Sequence, residues 1–327
     1  MLTTRTSLTA LAAAALLSMA ACGTSQPSEA QTAKDEATTG GPITLTDGAG
    51  RTVELPAPAE NVVVLEWQQI EDVLTLGVEP VGVADAEGYR TWDSAEELSD
   101  DVVDVGLRGE PNMDAVFKTD PDLIITEVYG PADALVKRFE KYDVPVLATL
   151  GADAKDPIGQ MKETFTLIAK ALGKEDQAAD VLDEFDTSVA DAKAEIADLG
   201  LDNNRFAYAD AYLNGSTVAI RPFGQGSFVG ELGEAIGLEN VWKGKVDPAY
   251  GLGQTDLEGI TDIGDARLFY TGTEAETWFS EVEDNPVWKN AEFVKNGDVA
   301  AFQEGIWTFG GPRSGQQIVE AFVDAVA

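Results

Sequence analysis

The stretch "DVGLRGEPNMD" places one arginine, Arg108, between two turn-forming glycines, Gly106 and Gly109. A guanidinium is planar, keeps its proton and donates several hydrogen bonds in a fixed fork, which suits a ligand that is rich in oxygen atoms. The simpler interpretation is a solvated loop arginine that pairs with Glu110. Because the whole chain has a formal net charge of -36, a cation on so short a loop is a candidate ligand contact.

Two residue types that carry much of enzyme and metal chemistry are scarce or missing. The chain has no histidine, so it lacks the usual general base of serine and cysteine hydrolases and the commonest nitrogen ligand of zinc or copper. The single cysteine, Cys22, can form neither an intrachain disulfide nor a thiolate cluster. Direct binding of a soft metal by the protein is therefore not expected.

The acidic composition limits the class of partner. With 58 Asp and Glu against 22 Lys and Arg, the surface repels phosphate backbones and anionic lipid headgroups, which argues against nucleic-acid binding. Two interpretations stay open: a basic partner, or an acidic surface that keeps the protein solvated in a salty medium.

The N-terminal segment predicts export. Residues 1–21 contain one cation, Arg5, then an apolar stretch too short to span a bilayer comfortably and a run of small residues. "MAAC" resembles the bacterial lipobox, in which Cys22 is lipidated and becomes the new N-terminus. The alternative is a plain signal peptide with an incidental cysteine. Residues 22–42 are too polar to fold, which predicts a disordered tether. From the lipobox and this tether together, we expect a lipid anchor that holds the protein on the outer face of the cytoplasmic membrane.

The rest of the chain predicts an α/β fold with two lobes. Short β-branched runs such as "VVVLE" and "DLIIT" alternate with helical patterns, which indicates a parallel α/β lobe over residues 43–173. Helical spacing of apolar residues predicts one long connecting helix over 174–199. The alternation restarts over 200–327, and the length of the chain also favours two lobes.

A Gly-rich stretch offers a different class of function. Gly224, Gly226 and Gly230 in "GQGSFVG" look like a dinucleotide-binding turn, but they are one residue too widely spaced and lie mid-chain. Capping of a helix by Ser227 accounts for the same residues. A glycosidase is not excluded by composition, although no pair of acids is singled out beside an aromatic platform.

Several segments, in the same order along the chain, resemble those of one family. This family is the ferric siderophore-binding lipoproteins of bacterial ABC importers, and the likeness is greatest to its ferric hydroxamate-binding branch. The likeness covers residues 43–327 and includes "VVVLEWQQIEDVLTLGVEPVGVAD", "VGLRGEPNMDAVFKTDPDLII", "GQGSFVGELGEAIGLENVW", "NPVWKNAEFVKNGDVAAF" and "WTFGGPRSGQ". It implies a shallow ligand cleft between two lobes that a stiff helix keeps from hinging widely. In this family the siderophore wraps the iron, so the resemblance implies a monomeric binding protein with no metal ligand, no cofactor and no catalysis.

The resemblance also assigns candidate ligand contacts. Arginine suits the oxygens around the iron, and aromatic faces suit the siderophore scaffold. The positions that match the family's motifs are Arg108 in "LRGEPN", Tyr129 in "VYGP", Trp92 in "GYRTW", Tyr250 in "AYGLG" and Trp307 in "WTFG". As a simpler role, Trp92 would plug the edge of the first lobe.

The second lobe departs from the hydroxamate branch at one position, and three loop arginines add candidates. Phe309 stands where that branch has a tyrosine, so one hydroxyl is lost. Arg90, Arg221 and Arg313 lie in loop-like settings near the motifs. If two or more of them line the cleft, we expect an anionic ligand such as a carboxylate siderophore or ferric citrate.

The family resemblance further implies docking to the permease through one glutamate on each lobe. The matching positions are Asp114, which is a methylene shorter, and Glu234. In so acidic a chain either residue could simply solvate a helix, and Asp114 could cap the start of one. Receptors of the same fold for cobalamin or haem remain alternatives, although the absence of histidine excludes an axial imidazole and haem ligation by tyrosine would remain. The kind of siderophore stays open.

We predict that Cys22→Ala leaves the protein unprocessed or sheds it into the medium, because the lipid attachment point is lost. Membrane fractionation followed by immunoblotting checks this outcome. Normal membrane retention of the variant would contradict the lipid anchor.

Overall fold

The structure is a computed structural model, and it describes residues 41–130, 133–139, 141–214, 217–271 and 278–327. The predicted signal peptide, Cys22 and all but the last two residues of the predicted tether lie outside the described residues. Within the described ranges, every helix is too short or too polar to cross a bilayer.

The first half of the fold is a parallel sheet preceded by a hairpin. Its strands are β1 (Ile43–Thr46), β2 (Thr52–Leu55), β3 (Val62–Val64), β4 (Gly82–Val83), β5 (Val103–Asp104), β6 (Leu123–Val128) and β7 (Val146–Leu150). Strands β1 and β2 pair antiparallel, and the others form one parallel sheet in the order β5-β4-β3-β6-β7. The "VVV" of β3 is fully buried, as expected for a central strand covered on both faces.

Five helices surround this sheet. They are α1 (Trp67–Thr75), α2 (Ala86–Trp92), α3 (Met113–Lys118), α4 (Ala134–Phe139) and α5 (Pro157–Leu172). Only Leu65 and Glu66 lie between β3 and α1. Glu66 therefore stands at the carboxyl end of a central strand, where its side chain accepts a hydrogen bond from the N–H of Trp67 as the N-cap of α1. Ligands of open parallel sheets bind at such strand ends.

One long helix, α6 (Glu175–Leu199), follows in the part of the chain where the sequence predicts the connecting helix. Its 25 residues correspond to about 37 Å of helix. Gly200 ends it in the left-handed conformation, with φ of 58°, a region that glycine enters without steric cost.

The second half repeats the α/β theme with one change of direction. Its strands are β8 (Arg205–Asn214), β9 (Thr217–Pro222), β10 (Glu239–Asn240), β11 (Arg267–Tyr270) and β12 (Val299–Ala301). Strands β10-β8-β11-β12 run parallel, whereas β9 folds back antiparallel on β8. The helices are α7 (Phe228–Ala235), α8 (Phe279–Val282), α9 (Pro286–Asn290), α10 (Glu292–Asn296) and α11 (Pro312–Val326), with a short 3-10 helix at Gly259–Ile263.

Helix α6 contributes side chains to both cores. Ala178 and Val181 are buried in the core of the first sheet. Phe185, Ala192 and Ile196, further along the same face, are buried in the core of the second. Because a packed helix does not bend without losing these contacts, a change in the relative position of the two sheets would have to disturb them.

A buried carboxylate joins the two halves a second time. Glu71 on α1 is fully buried, and it accepts hydrogen bonds from three backbone N–H groups at the start of α11: Gly311 at 2.9 Å, Arg313 at 3.0 Å and Ser314 at 2.9 Å. The Ser314 hydroxyl donates a fourth bond at 2.6 Å. An acid at a helix N-terminus satisfies the otherwise free N–H groups and complements the helix dipole.

Two more acids are buried beside this junction. Both carboxylate oxygens of Asp72 and one of Asp93 are buried and have no hydrogen-bond partner among the described residues. The start of α11 approaches closely, since a Cβ built on Gly311 would lie 2.3 Å from Asp72 Oδ1. Burial, together with the charge of nearby Glu71, raises the pKa of Asp72 and that of Asp93 well above the ordinary value.

We predict that Asp72→Asn stabilises the protein more at pH 8 than at pH 5. The pKa of Asp72 is raised in the folded state, so its contribution to the free energy of unfolding is present below the unfolded pKa and is lost as the pH rises through the folded pKa. Asparagine removes that loss, and we expect a gain at pH 8 of roughly 1–3 kcal/mol. Urea denaturation at the two pH values measures it.

The matched control is Asp198→Asn, which removes an acid from the exposed face of α6. We expect no comparable pH dependence from this exposed position. Equal effects of Asp72→Asn at the two pH values would contradict the interpretation.

Candidate functional site

The loop that carries Arg108 is closed by hydrogen bonds. The N–H of Asn112 donates to the carbonyl of Val105 at 2.7 Å, and Gly106 pairs with Pro111 in an isolated β-bridge. Gly106 has φ of 100°, a backbone region that favours glycine. Backbone hydrogen bonds therefore close the "GLRGEP" loop at its base and fix the position of its arginine.

Arg108 lies between acids and aromatic rings. Its guanidinium forms an ion pair with Glu66, and its Nε lies 4.0 Å from Asp85 Oδ2. These are its ionic partners within the described chain, rather than the Glu110 that the sequence suggested. The Cζ atom lies 3.8 Å from the ring centroid of Trp67 and 5.9 Å from that of Trp307, within the range of cation–π attraction.

A cleft between the two halves brings most of the predicted residues together. Its volume is about 390 Å³, within the range of small-molecule sites. The aromatic and basic residues that line it are Arg108, Tyr129, Arg221, Tyr250, Trp307 and Phe309. These six come from both halves of the fold, so the cleft depends on the relative position of the two sheets.

A second cavity of about 560 Å³ adjoins this cleft on the side of the first sheet. The two share Glu66, Arg108, Glu127 and Tyr129. Since Glu66 follows β3 and Glu127 lies near the end of β6, the shared wall stands at the carboxyl ends of neighbouring parallel strands.

Aromatic rings form a continuous wall along the cleft. Phe309 is central, with ring centroids 5.2 Å from Trp307 and 5.7 Å from Tyr250. Tyr250 in turn lies 6.2 Å from Tyr129 of the first half. The residue that replaces a tyrosine of the hydroxamate branch is therefore part of this wall, where it offers an apolar face without a hydroxyl.

Arg221 is the second arginine of the cleft, and it is also paired. Asp210 and Arg221 stand opposite each other in the antiparallel β8–β9 register. The Nε of Arg221 donates to Asp210 Oδ1 at 2.8 Å, and Nη2 donates to Oδ2. Such a two-pronged pair orients the guanidinium, whose Cζ lies 5.4 Å from the ring of Phe309.

A hydrogen bond crosses the cleft from one half to the other. The hydroxyl of Tyr250 donates to Glu127 Oε1 at 2.7 Å. Burial, with the neighbouring charge of Glu66, raises the pKa of Glu127 to about 7, while the bond from Tyr250 opposes this rise. Glu127 therefore titrates near neutral pH.

Three predicted contacts do not line the cleft, which corrects their placement. Trp92 ends α2, where its ring packs against the core of the first sheet. Arg90 donates to the carbonyl of Ser99 at 2.7 Å, and Arg313 donates to Glu184 of α6 at 2.8 Å. Both arginines are occupied by these partners, because the helices that carry them present the side chains elsewhere.

The structure adds residues that sequence reasoning missed. Arg108 contacts Glu66 and Trp67, and Tyr250 donates a hydrogen bond to Glu127. The sequence motifs did not predict these three partners as site residues. A signal was present in "VVVLEW" and "LIITEV", because each glutamate interrupts or ends an apolar strand run at a carboxyl end.

Helix caps account for two other features of the sequence. Ser227 caps α7 by accepting from the N–H of Gly230 at 3.1 Å, as the alternative to a dinucleotide turn predicted. Asn112, rather than Asp114, caps α3, which leaves Asp114 exposed in the first turn. Glu234 on α7 is half-buried and accepts from Gln225 at 2.8 Å.

Comparison with known proteins identifies the class to which this fold belongs. The model of the periplasmic binding protein family matches residues 62–304. The Fe(3+)-citrate-binding protein YfmC of Bacillus subtilis is 32% identical over 277 residues, which cover 83% of this chain and 81% of that protein. The iron(3+)-hydroxamate-binding protein FhuD of Escherichia coli is 26% identical over 81% of this chain and 86% of its own.

A solved structure shares the fold. The siderophore-binding protein FhuD of Vibrio cholerae, crystallised with Fe3+-Desferal, superposes with a TM-score of 0.70 at 23% identity, over 82% of this chain and 97% of its own. The chain belongs to the periplasmic binding protein family. These relatives are binding proteins, and within the described residues no group of three or more Cys, Asp or Glu side chains is arranged to hold a metal ion.

Proposed function

We propose that this protein captures a ferric siderophore in its cleft and delivers the complex to the permease of an ABC importer. Relatives that bind ferric citrate and ferric hydroxamates support this function. The observation that carries the proposal is the position of Arg108, which is stacked on Trp67 of one half and lies near Trp307 of the other.

Binding in this cleft uses the chemistry of the complete ferric complex. The fork of Arg108 donates hydrogen bonds to the oxygens around the iron, and the aromatic wall contacts the apolar scaffold. Two apolar side chains at the rim extend this surface, because Leu107 is 63% exposed and Tyr129 is 75% exposed. The iron needs no protein ligand, since the siderophore already supplies its oxygens.

Delivery requires contacts outside the cleft. In our proposal, a lipid on Cys22 holds the protein at the outer face of the cytoplasmic membrane, and the protein acts as a monomer. Asp114 of the first half and Glu234 of the second then pair with basic residues of the permease. Charged side chains at the edge of an interface mainly set encounter and orientation rather than fold stability.

We predict that Arg108→Ala weakens binding of the cognate ferric complex by about ten- to a hundredfold, which is the loss of roughly 1.5–3 kcal/mol from a charge-assisted hydrogen bond. Arg108→Lys keeps the charge but loses the fork, so its loss should be intermediate. Quenching of tryptophan fluorescence on titration measures the affinity.

The matched control is Arg90→Ala, which removes a first-half arginine that lies outside the cleft. Its affinity should equal that of the unmodified protein. Unchanged affinity and unchanged melting temperature for Arg108→Ala would overturn the assignment of this residue.

We predict that the double variant Asp114→Lys with Glu234→Lys binds its ligand normally in solution but supports little uptake of iron by cells. Titration of the purified variant measures its affinity for the ligand, and uptake of radiolabelled iron by cells measures delivery to the permease. Asp198→Lys with Glu195→Lys on α6 makes the same change of charge elsewhere and should leave uptake intact. Full uptake by the first double variant would show that other residues engage the permease.

A further inference from the structure

The arginines of the cleft are already neutralised by the protein. Arg108 pairs with Glu66 and lies near Asp85, and Arg221 pairs through two hydrogen bonds with Asp210. An internal carboxylate competes with an anionic ligand for the same donors, so a paired arginine attracts such a ligand less strongly than an unopposed one would.

The remaining charges around the two adjoining cavities increase the acidic excess. Glu127 stands in the shared wall, and Asp133 lines the cavity on the side of the first sheet. Besides Arg108, the same cavity is lined by one more arginine, Arg138. Among the described residues that line these cavities or pair with their arginines, five carboxylates therefore face three guanidinium groups.

We infer that the cleft selects ferric complexes whose overall charge is zero or positive, such as trihydroxamates, and discriminates against anionic ferric carboxylates. This inference rests on the proposed function and specifies the ligand class of the same site. The expectation of an anionic ligand required two of Arg90, Arg221 and Arg313 in the cleft, but only Arg221 lines it.

Glu127 gives this selectivity a pH dependence. The charged and titratable groups that face it come from both halves of the fold, and they are Glu66, Arg108, Tyr129, Asp133 and Tyr250. The pKa of about 7 means that Glu127 gains its negative charge between mildly acidic and mildly alkaline pH. The preference for a cationic complex should therefore strengthen as the pH rises through that range.

The test uses three ferric complexes with one iron centre and different charges. A linear trihydroxamate that ends in a primary amine gives a cationic complex, its N-acetyl derivative a neutral one and its N-succinyl derivative an anionic one. We expect the cationic or neutral complex to bind about tenfold more tightly than the anionic complex at moderate salt, with ferric citrate weaker still. The ratio should increase from about pH 6 to about pH 8.

Two variants separate the cleft from the overall charge of the protein. Glu127→Gln should reduce the cation-to-anion ratio and its pH dependence, whereas Asp198→Asn on the exposed face of α6 should change neither. A ratio that persists in Glu127→Gln and vanishes in high salt would assign the preference to the net charge of the chain and overturn the inference.

The other outcomes are equally distinct. Equal affinity for the three complexes, or tighter binding of the anionic complex or of ferric citrate, would overturn the charge selectivity and leave the proposed function intact. If neither these complexes nor a ferric tricatecholate binds, the proposed function itself is overturned, and the inference falls with it. Binding of the tricatecholate alone, which is an anionic complex, would overturn only the inference.

Discussion

The buried carboxylate of Glu71 sets the geometry on which the cleft depends. It binds the N-terminus of α11 through four hydrogen bonds, directly after the loop that carries Trp307 and Phe309. Helix α6 adds a second constraint because it is buried in the cores of both sheets. With two such connections, a large hinge motion would have to break buried contacts.

Ion pairs within the protein shape recognition in the cleft. Arg108 and Arg221 are each oriented by a carboxylate before any ligand arrives, which reduces the entropy lost on binding. The cost is competition, because oxygens of a ligand must share donors with Glu66 or Asp210. Aromatic faces take no part in this competition, so the wall around Phe309 adds attraction through the burial of apolar ligand surface.

Sequence patterns predicted the fold well because they reflect local physics. Short β-branched runs that alternate with helical patterns predicted the parallel strands. The helical spacing of apolar residues predicted a helix over 174–199, and α6 begins within one residue of that start. Side-chain direction was less predictable. Trp92 lies close in sequence to the cleft motifs, yet its position at the end of α2 directs the ring to the core, where burial of apolar surface dominates.

The sequence by itself determined the α/β class, the central helix, the absence of histidine chemistry and the arginine loop at Arg108. Only the tertiary structure decided which charges meet. Arg108 and Glu66 are separated by 42 positions in the chain, and Tyr250 and Glu127 by 123. Pairing over such distances depends on how strands and helices pack, since an acidic chain offers many carboxylates as partners for each arginine. The charge of the cleft is therefore a property of the fold rather than of the composition.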